Sequence, residues 1–224
     1  MFFFINEINL PTMIEKYKHI IWDWNGTILN DVNLSVELIN WLLKERNLKT
    51  VSVDEYKKIF TIPVKNYYEK LGFDFQKESF EIVGKKWMDE YERRKFECNI
   101  YDGIIEVFER INSLGIGQSI LSAYSQHTLE EMADHFNLTK YFTHIVGLDN
   151  IYAAGKLHLG QMLIKKLGNG KGETLMIGDT EHDFEVAQEM KADCVLLSNG
   201  HQDKERLEKT GCTVINNIKE LLEI

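Results

Sequence analysis

Short apolar runs recur along the chain from residue 18 onward, separated by stretches in which the apolar residues are spaced differently. The runs cover residues 19–22, 119–121, 144–146, 174–177, 194–197 and 213–215. Each run is long enough for one buried strand, and its hydrophobicity is continuous rather than alternating. Continuous apolar strands are typical of a parallel sheet that is covered on both faces. The pattern therefore predicts the strands of an α/β protein.

Stretches with helical spacing of apolar residues lie between these runs. One stripe comprises Val107, Phe108, Ile111 and Leu114, and the Gly115 that follows is a natural stop for a helix. Two further stripes have the same spacing: Leu129, Met132, Ala133 and Phe136, and then Leu159, Met162, Leu163 and Leu167. Strands that alternate with helices predict a doubly wound core.

Residues 31–99 interrupt this alternation. Their spacing predicts helices near 33–47, 53–60, 63–71 and 76–96, with no convincing strand. The simplest interpretation is an α/β core at residues 18–30 and 100–224 with an inserted α-helical cap at 31–99. Residues 1–17 are interpreted as an extension ahead of the first strand, with Met13 as a hypothetical start of translation.

Charge and cysteine content narrow the classes of protein. A net charge of -9 over 224 residues disfavours binding to nucleic acid, which depends on Lys and Arg. The three cysteines, Cys98, Cys194 and Cys212, have no metal-ligand spacing and are typical of reduced thiols. The apolar run at residues 1–5 is too short for a signal sequence or a membrane span. We therefore expect a cytoplasmic protein that binds no membrane, as a monomer or homodimer.

Polar residues gather directly after four of the predicted strands. They are the segment 23–27, Ser122, Lys156 and the segment 178–183. Ligands of open parallel sheets bind outside the carboxyl ends of the strands. We therefore expect these side chains to share one site.

The chemistry of these residues suits phosphoryl transfer. An ionised carboxylate such as Asp23 can attack phosphorus, which divides one difficult displacement into two. A divalent cation on carboxylate oxygens reduces the repulsion between that anion and the phosphoryl group. Lys156 and the Ser122 hydroxyl can hold the phosphoryl oxygens, and Gly26 allows the backbone to approach them closely.

The segment Asp23-Trp24-Asn25-Gly26-Thr27 resembles the D-x-D-x-T signature of the haloacid dehalogenase superfamily, with asparagine at the second aspartate position. Ser122, Lys156 and the Asp179/Asp183 pair follow in the order of the superfamily's other three motifs. The resemblance extends over roughly residues 18–224, including the position of the cap. Residues 59–63 and 101–103 resemble the phosphoglycolate-phosphatase-like branch.

This resemblance implies a Rossmann-like core and a Mg²⁺-dependent phosphatase that acts on a small phosphorylated metabolite, such as a phosphoglycolate-like compound or a sugar phosphate. Asp23 would form an aspartyl-phosphate. Mg²⁺ would be held by the Asp23 carboxylate, the Asn25 backbone carbonyl and Asp179, with Asp183 in direct or water-mediated support. The residues implied to contact the phosphate are Gly26, Thr27, Ser122, Ala123 and Lys156.

Asn25 departs from this pattern, because superfamily phosphatases normally have an aspartate there that acts as acid and base. Asparagine can do neither, and such help is worth roughly 10² to 10⁴ in rate. Three explanations stay open: another residue, first of all His182, supplies the proton; the leaving group needs little protonation; or the protein binds a phosphorylated ligand without turnover. Phosphotransfer and cleavage of phosphonates or carbon–halogen bonds also stay open. The lysine that phosphonate cleavage needs would come from Lys57, Lys58 or Lys65.

Other residues carry weaker predictions. A lone histidine is usually a surface or supporting residue, so His127 and His201 receive no catalytic role. The aromatic residues Tyr67, Tyr68, Phe73 and Phe75 are interpreted as cap packing rather than as a substrate surface. The loop at residues 61–65 is the predicted source of substrate specificity.

Overall fold

The six predicted apolar runs form one parallel sheet in the computed structural model, which describes residues 13–148 and 155–223. Numbered along the chain, the strands are β1 (His19–Trp22), β2 (Leu29–Asn30), β3 (Asn99–Ile100), β4 (Gly117–Ser125), β5 (His144–Leu148), β6 (Thr174–Gly178), β7 (Asp193–Leu197) and β8 (Thr213–Ile215). The order in the sheet is β5-β4-β1-β6-β7-β8. The chain winds outward from β1 in both directions, so the predicted doubly wound α/β fold is confirmed.

Five helices of the described residues belong to the core. They are α5 (Ile104–Ser113), α6 (Gln126–His135), α7 (Gly155–Leu167), α8 (Glu181–Met190) and α9 (Lys204–Glu208). Short 3-10 helices lie at Met13–Lys16, Lys95–Glu97, Thr139–Tyr141 and Ile218–Leu222. No helix within 13–148 or 155–223 has both the length and the apolar character to cross a membrane.

Successive side chains of β1 point to opposite faces of the sheet, as strand geometry requires. Ile20 and Trp22 enter the hydrophobic cluster that α5 and α6 cover, whereas Ile21 enters the cluster beneath α7 and α8. All three side chains are fully buried. Burial on both faces explains why the strands show continuous rather than alternating hydrophobicity.

One residue was wrongly predicted to lie on the buried face of its helix. Met162 is 57% exposed, whereas the next residue, Leu163, is buried. The inner face of α7 is centred on Gly160, where an added Cβ would press on Met190 of α8. Met162 points outward, because two residues along a helix turn it by about 200° from the face on which Gly160 lies.

The part of the predicted N-terminal extension that the structure describes contacts the core. Ile14 and Tyr17 are buried in the same cluster as Trp22. Residues 1–12, the rest of that predicted extension, lie outside the described residues, and Met13 as a translation start stays a prediction.

The four predicted helices of the insert are present as α1 (Val32–Glu45), α2 (Val53–Ile59), α3 (Val64–Lys70) and α4 (Phe80–Arg94). They share a second hydrophobic cluster, to which each contributes at least one buried side chain. The expectation of no strand in this segment is wrong at Asn99, because β2 and β3 form an antiparallel ribbon. Two residues are too few to produce a periodic signal. The ribbon places the two ends of the insert side by side, and the exact domain boundaries stay a prediction.

Candidate active site

The carboxyl edge of the sheet carries a cavity of about 320 Å³ at the central strand. Asp23 follows β1 directly, Asp179 follows β6, and Lys156 lies in the first turn of α7. These three side chains line the cavity together with Asn25 and Asp183. These side chains therefore lie together at one cavity, as a shared site requires.

The loop after β1 folds tightly around Trp24, whose carbonyl oxygen accepts hydrogen bonds from the amides of Thr27 and Ile28. Gly26 adopts a φ of 73°, which side chains rarely allow. A Cβ at Gly26 would also overlap the Asp179 carboxylate. Glycine is therefore needed for the loop to turn and for the Asp179 carboxylate to approach it.

Asp183 is oriented by the start of α8. Thr180 is the N-cap residue, and its hydroxyl and amide both donate to Asp183 Oδ2, at 2.7 and 3.0 Å. The Asp179 amide donates to the same oxygen at 3.2 Å. Because Oδ2 is held by these donors, Oδ1 is the oxygen that faces Lys156.

Lys156 bridges two carboxylates inside the protein. Its ammonium donates to Asp23 Oδ1 and to Asp183 Oδ1, and all three side chains are buried. Burial raises the pKa of Asp23 to about 6, although Lys156 counteracts part of this effect. Burial also acts to raise the pKa of Asp183, but Lys156 outweighs it and holds that pKa below its usual value.

No cationic side chain of the described residues makes a hydrogen bond to Asp179. Its Oδ2 accepts from the His201 amide at 2.6 Å, and its Oδ1 accepts from the Thr27 hydroxyl at 3.2 Å. Burial raises the pKa of Asp179 to about 8. The free energy cost of ionising this carboxyl is therefore high unless a further cation lies nearby.

The acidic residues fit a divalent cation. One carboxylate oxygen from each of Asp23, Asp179 and Asp183 can be chosen so that all three lie within 4.8 Å of one another. Hard cations such as Mg²⁺ prefer oxygen ligands of this kind. The donor set is therefore suitable for a divalent cation, and Mg²⁺ as that cation stays a prediction.

Asn25 belongs to a hydrogen-bond network that the sequence did not reveal. Its Nδ2 atom donates to Asp31 Oδ2 at 2.9 Å and to the Tyr91 hydroxyl at 2.7 Å. The Tyr91 hydroxyl in turn donates to the same Asp31 oxygen at 2.7 Å. A carboxylate thus lies directly beside the position where the superfamily normally has its acid and base.

The other oxygen of Asp31 completes the network. Asp31 Oδ1 accepts from the Gly26 amide at 2.9 Å and contacts His201 Nε2 at 3.1 Å. Burial acts to lower the pKa of His201, but Asp31 outweighs it and raises that pKa to about 9. Tyr56 contacts the other ring nitrogen at 2.8 Å. His201 is therefore a charged partner of Asp31, a role that no local sequence pattern indicates.

The four remaining predicted phosphate contacts differ in position. Ser122 and the exposed Ala123 line the cavity, and Ser122 Oγ accepts from the Tyr124 amide at 3.1 Å. The strand β4 runs on to Ser125 with a shift of register after Leu121, so Ser122 lies within the strand rather than after it. Gly26 and Thr27 are absent from the described lining, and Thr27 instead supports Asp179.

Among the histidines considered from the sequence, His182 also lines the cavity. Its Nδ1 atom lies 3.0 Å from Glu185 Oε2, one turn along α8. His127 is exposed on α6 and is not among the described residues that line the cavity. The position of His182 is compatible with the proton-donor hypothesis.

The cap lines one side of the cavity with aromatic and aliphatic side chains. Tyr67, Tyr68, Phe73 and Phe75 all pack within the cap, as predicted, and Tyr67 and Tyr68 also line the cavity. From the loop predicted to set specificity, Ile62 lies at the mouth of the cavity. The sequence did not predict that α4 lines the cavity, because the apolar residues of this helix serve both in packing the cap and in lining the cavity.

None of the three cap lysines considered for phosphonate cleavage is among the described residues that line the cavity. The Lys57 ammonium donates to the Asn199 carbonyl at 2.9 Å, and the Lys65 ammonium lies 5.7 Å from the centre of the Phe75 ring. Lys58 is exposed. The described part of the cap therefore places no lysine in the cavity for that reaction.

Comparison with known proteins agrees with the geometry. A sequence model of the family described as "Haloacid dehalogenase-like hydrolase" matches residues 20–197. The chain is similar to pyrophosphatase PpaX of Oceanobacillus iheyensis, with 26% identity over 92% of this chain and 96% of the relative. It is also similar to a phosphoglycolate phosphatase of Aquifex aeolicus, with 26% identity over 75% of this chain and 79% of the relative. A predicted phosphatase from Clostridium acetobutylicum has the same fold, with a TM-score of 0.77 and 20% identity over 93% of this chain and 99% of that one.

Proposed function

Because the chain belongs to the haloacid dehalogenase-like hydrolase family, we propose that it is a Mg²⁺-dependent phosphatase that cleaves a small phosphomonoester through an aspartyl-phosphate on Asp23. The observation that carries the proposal is the position of Asp23. This buried carboxylate contacts the Lys156 ammonium in the same cavity as Asp179 and Asp183. The phosphatase names of the relatives support the same chemistry.

Asp23 performs the first displacement. A carboxylate oxygen of Asp23 forms a bond to phosphorus while the bond from phosphorus to the ester oxygen breaks, and the leaving alcohol takes up a proton. Water then attacks the phosphorus of the aspartyl-phosphate while the bond from phosphorus to the Asp23 oxygen breaks. The water gives up a proton to the group that protonated the alcohol, and phosphate leaves with the carboxylate restored. Mg²⁺, when bound by Asp23, Asp179 and Asp183, would neutralise charge on the phosphoryl group.

Lys156 and Ser122 position the phosphoryl group. The Lys156 ammonium is already directed at Asp23, so a phosphoryl group bound there would lie within its reach. The Ser122 hydroxyl accepts only from a backbone amide in the described residues, which leaves its proton available for a phosphoryl oxygen. Charge-assisted hydrogen bonds of this kind strengthen as negative charge spreads over the oxygens.

His182 is the residue we assign to proton transfer. Asp31 is unsuited to this task, because both of its oxygens already accept two hydrogen bonds. Burial acts to raise the pKa of Asp31, but His201 outweighs it and lowers that pKa, so Asp31 carries no proton to donate. His182 lines the cavity and is only partly buried.

Phosphate release from a panel of phosphomonoesters tests the proposal. We expect turnover that requires Mg²⁺ and disappears in Asp23→Asn, and acid-quenched wild type should carry one phosphoryl group by intact mass. Asp54→Asn, which changes an exposed carboxylate of α2, is the matched control and should retain activity. Equal turnover in Asp23→Asn and wild type would contradict the nucleophilic role.

Asn25 favours one second candidate, a protein that binds a phosphorylated ligand without meaningful turnover. An amide at this position is held by Asp31 and Tyr91 and has no acid–base function. This candidate predicts Mg²⁺-linked ligand binding and no phosphorylated Asp23. Turnover of any phosphomonoester at a rate abolished by Asp23→Asn would eliminate it.

A further inference from the structure

The cap wall of the active-site cavity is aromatic. Seven aromatic side chains of the described lining come from α2 to α4 and the residues between them: Tyr56, Phe60, Tyr67, Tyr68, Phe80, Trp87 and Tyr91. The large apolar side chains at its mouth, Ile62, Val64 and Met88, are 41%, 37% and 44% exposed. Apolar surface thus continues from the interior of the cavity to its rim.

The same wall carries no cationic side chain. None of the described cap residues that line the cavity is a lysine or arginine. Residues 1–12 and 149–154 cannot supply one either, because their sequence contains neither residue type. Lys156 is the only lysine of the described lining, and Asp23 and Asp183 already engage it.

A leaving group with its own negative charge would therefore be poorly accommodated. The carboxylate of phosphoglycolate or the second phosphate of pyrophosphate would lie against aromatic side chains. The cationic groups of the described lining, Lys156 and His201, already pair with carboxylates of the protein. Burying an unpaired charge costs several kcal/mol even after relaxation. The lining thus disfavours the substrates named for the two relatives.

One hydroxyl group in the wall has no partner. The Tyr67 Oη atom is buried and makes no hydrogen bond with any described residue. Tyr67 itself is 2% exposed and lines the cavity. A buried donor without a partner is unusual in a folded protein. Because this oxygen is itself buried, Tyr67 adds no accessible polar group to the cavity that it lines.

We propose that the substrate is a phosphate ester of an uncharged aromatic alcohol, whose ring packs against Tyr67, Phe80 and Trp87. This inference rests on the proposed phosphatase function, because it assigns the leaving group of that reaction. An apolar cavity of about 150 Å³ accommodates benzene, and the cavity here measures about 320 Å³. The space therefore suits one aromatic ring together with the phosphoryl group at Asp23.

Substrates with closely similar leaving oxygens provide the test. Benzyl phosphate, cyclohexylmethyl phosphate and 2-phosphoglycolate all release a primary alcohol, so differences in kcat/KM report mainly on binding in the cap. We expect kcat/KM for benzyl phosphate to exceed that for phosphoglycolate by about 10²-fold. We expect it to exceed that for cyclohexylmethyl phosphate by roughly two- to tenfold, because aromatic pairs add to simple burial. Equal or higher values for phosphoglycolate would overturn the proposal, and a preference for the cyclohexyl ester would overturn its aromatic part.

Two lysine variants of α4 test the missing cation directly. Met88→Lys places an ammonium at the rim of the cavity, whereas Ile82→Lys adds the same charge at a residue that is 54% exposed and absent from the lining. We expect only Met88→Lys to shift the ratio of kcat/KM values towards phosphoglycolate, by about tenfold or more. The same shift in both variants, or in neither, would contradict the inference that the cap wall binds an uncharged leaving group because it lacks a cation.

A binding measurement separates the failure of this inference from the failure of the proposed function. If no ester is hydrolysed, and wild type and Asp23→Asn are equally inactive, the phosphatase function fails. Calorimetric titration with benzylphosphonate and phosphonoacetate, each with Mg²⁺ present, then still decides the preference. Tighter binding of benzylphosphonate supports the aromatic site, and tighter binding of phosphonoacetate refutes it.

Discussion

Asn25→Asp would place a half-buried carboxylate beside the buried carboxylate of Asp31. In the wild type, the Asn25 Nδ2 atom donates to Asp31 Oδ2 across 2.9 Å and to the Tyr91 hydroxyl across 2.7 Å. An ionised aspartate has no proton for either contact, so an oxygen at residue 25 would face an oxygen of Asp31. The substitution that restores the superfamily signature is therefore expected to destabilise this protein.

The magnitude follows from the distance. Two unit charges at the 2.9 Å separation of Asn25 Nδ2 and Asp31 Oδ2 repel each other by about 6 kcal/mol at an effective dielectric constant of about 20. One carboxyl group takes up a proton when repulsion is this large, and each unit of raised pKa costs about 1.4 kcal/mol of stability at higher pH. We expect a loss of about 3–5 kcal/mol at pH 8, as for other buried charges without a partner.

The loss should depend on pH in a defined direction. A carboxyl group whose pKa is raised by folding contributes full stability below its unfolded value near 4. That contribution is lost as the pH rises towards the folded value. The difference between Asn25→Asp and wild type should therefore grow from pH 5 to pH 8.

Urea unfolding of the metal-free protein, followed by tryptophan fluorescence, measures this difference. Asn66→Asp adds the same charge at an exposed residue of α3 and is expected to remain close to wild type. The double variant Asn25→Asp/Asp31→Asn removes the repulsion between the two carboxylates. It should recover only part of the stability, because His201 loses its carboxylate partner. Two results would refute the reasoning: Asn25→Asp as stable as Asn66→Asp at pH 8, or a double variant no more stable than the single one.

Two further predictions concern the charged groups at the carboxyl edge. Mg²⁺ at about 100 times its Kd should stabilise the protein by about 2.7 kcal/mol. Its apparent affinity should increase from pH 6 to pH 9, because the pKa of Asp179 is raised to about 8 without metal and Mg²⁺ requires the carboxylate. Calorimetry should detect proton release on binding to wild type, and an unchanged affinity across this range would contradict the role of Asp179. Lys156→Met should destabilise the metal-free protein by about 3–5 kcal/mol at pH 8, because it leaves Asp23 and Asp183 buried without their cation. Lys165→Met, at an exposed residue of α7, is the control. Equal midpoints of urea unfolding for the two variants would argue against the pairing of Lys156 with these carboxylates.

The sequence predicted the core strands because each strand carries its own signal. Six continuous apolar runs correspond to the six strands of the sheet, and polar segments at their carboxyl ends lie at one edge. Parallel pairing alone brings those ends together, whatever the details of packing. The positions of Asp23 and Asp179 followed from this local information, whereas their catalytic roles stay predictions.

The sequence was less informative where one residue serves two purposes. The stripe of α4 reads as ordinary helix packing, yet Trp87 contacts the hydrophobic clusters and also lines the cavity. Met162 fits a helical stripe, but the close approach of Gly160 to α8 turns it outward. Periodicity identifies the apolar face of a helix only to within about one residue on either side.

The sequence by itself determined the order of strands and helices, the insertion of the cap and the acidic edge of the sheet, because continuous strands, helical stripes and short motifs are encoded locally. Only the tertiary structure placed Asp31 against Asn25 and His201, and only it enclosed the cavity with aromatic side chains. The contact between Asp31 and His201 spans 170 positions of the chain. Such contacts depend on how the cap packs against the core, and this packing leaves no periodic pattern in the sequence.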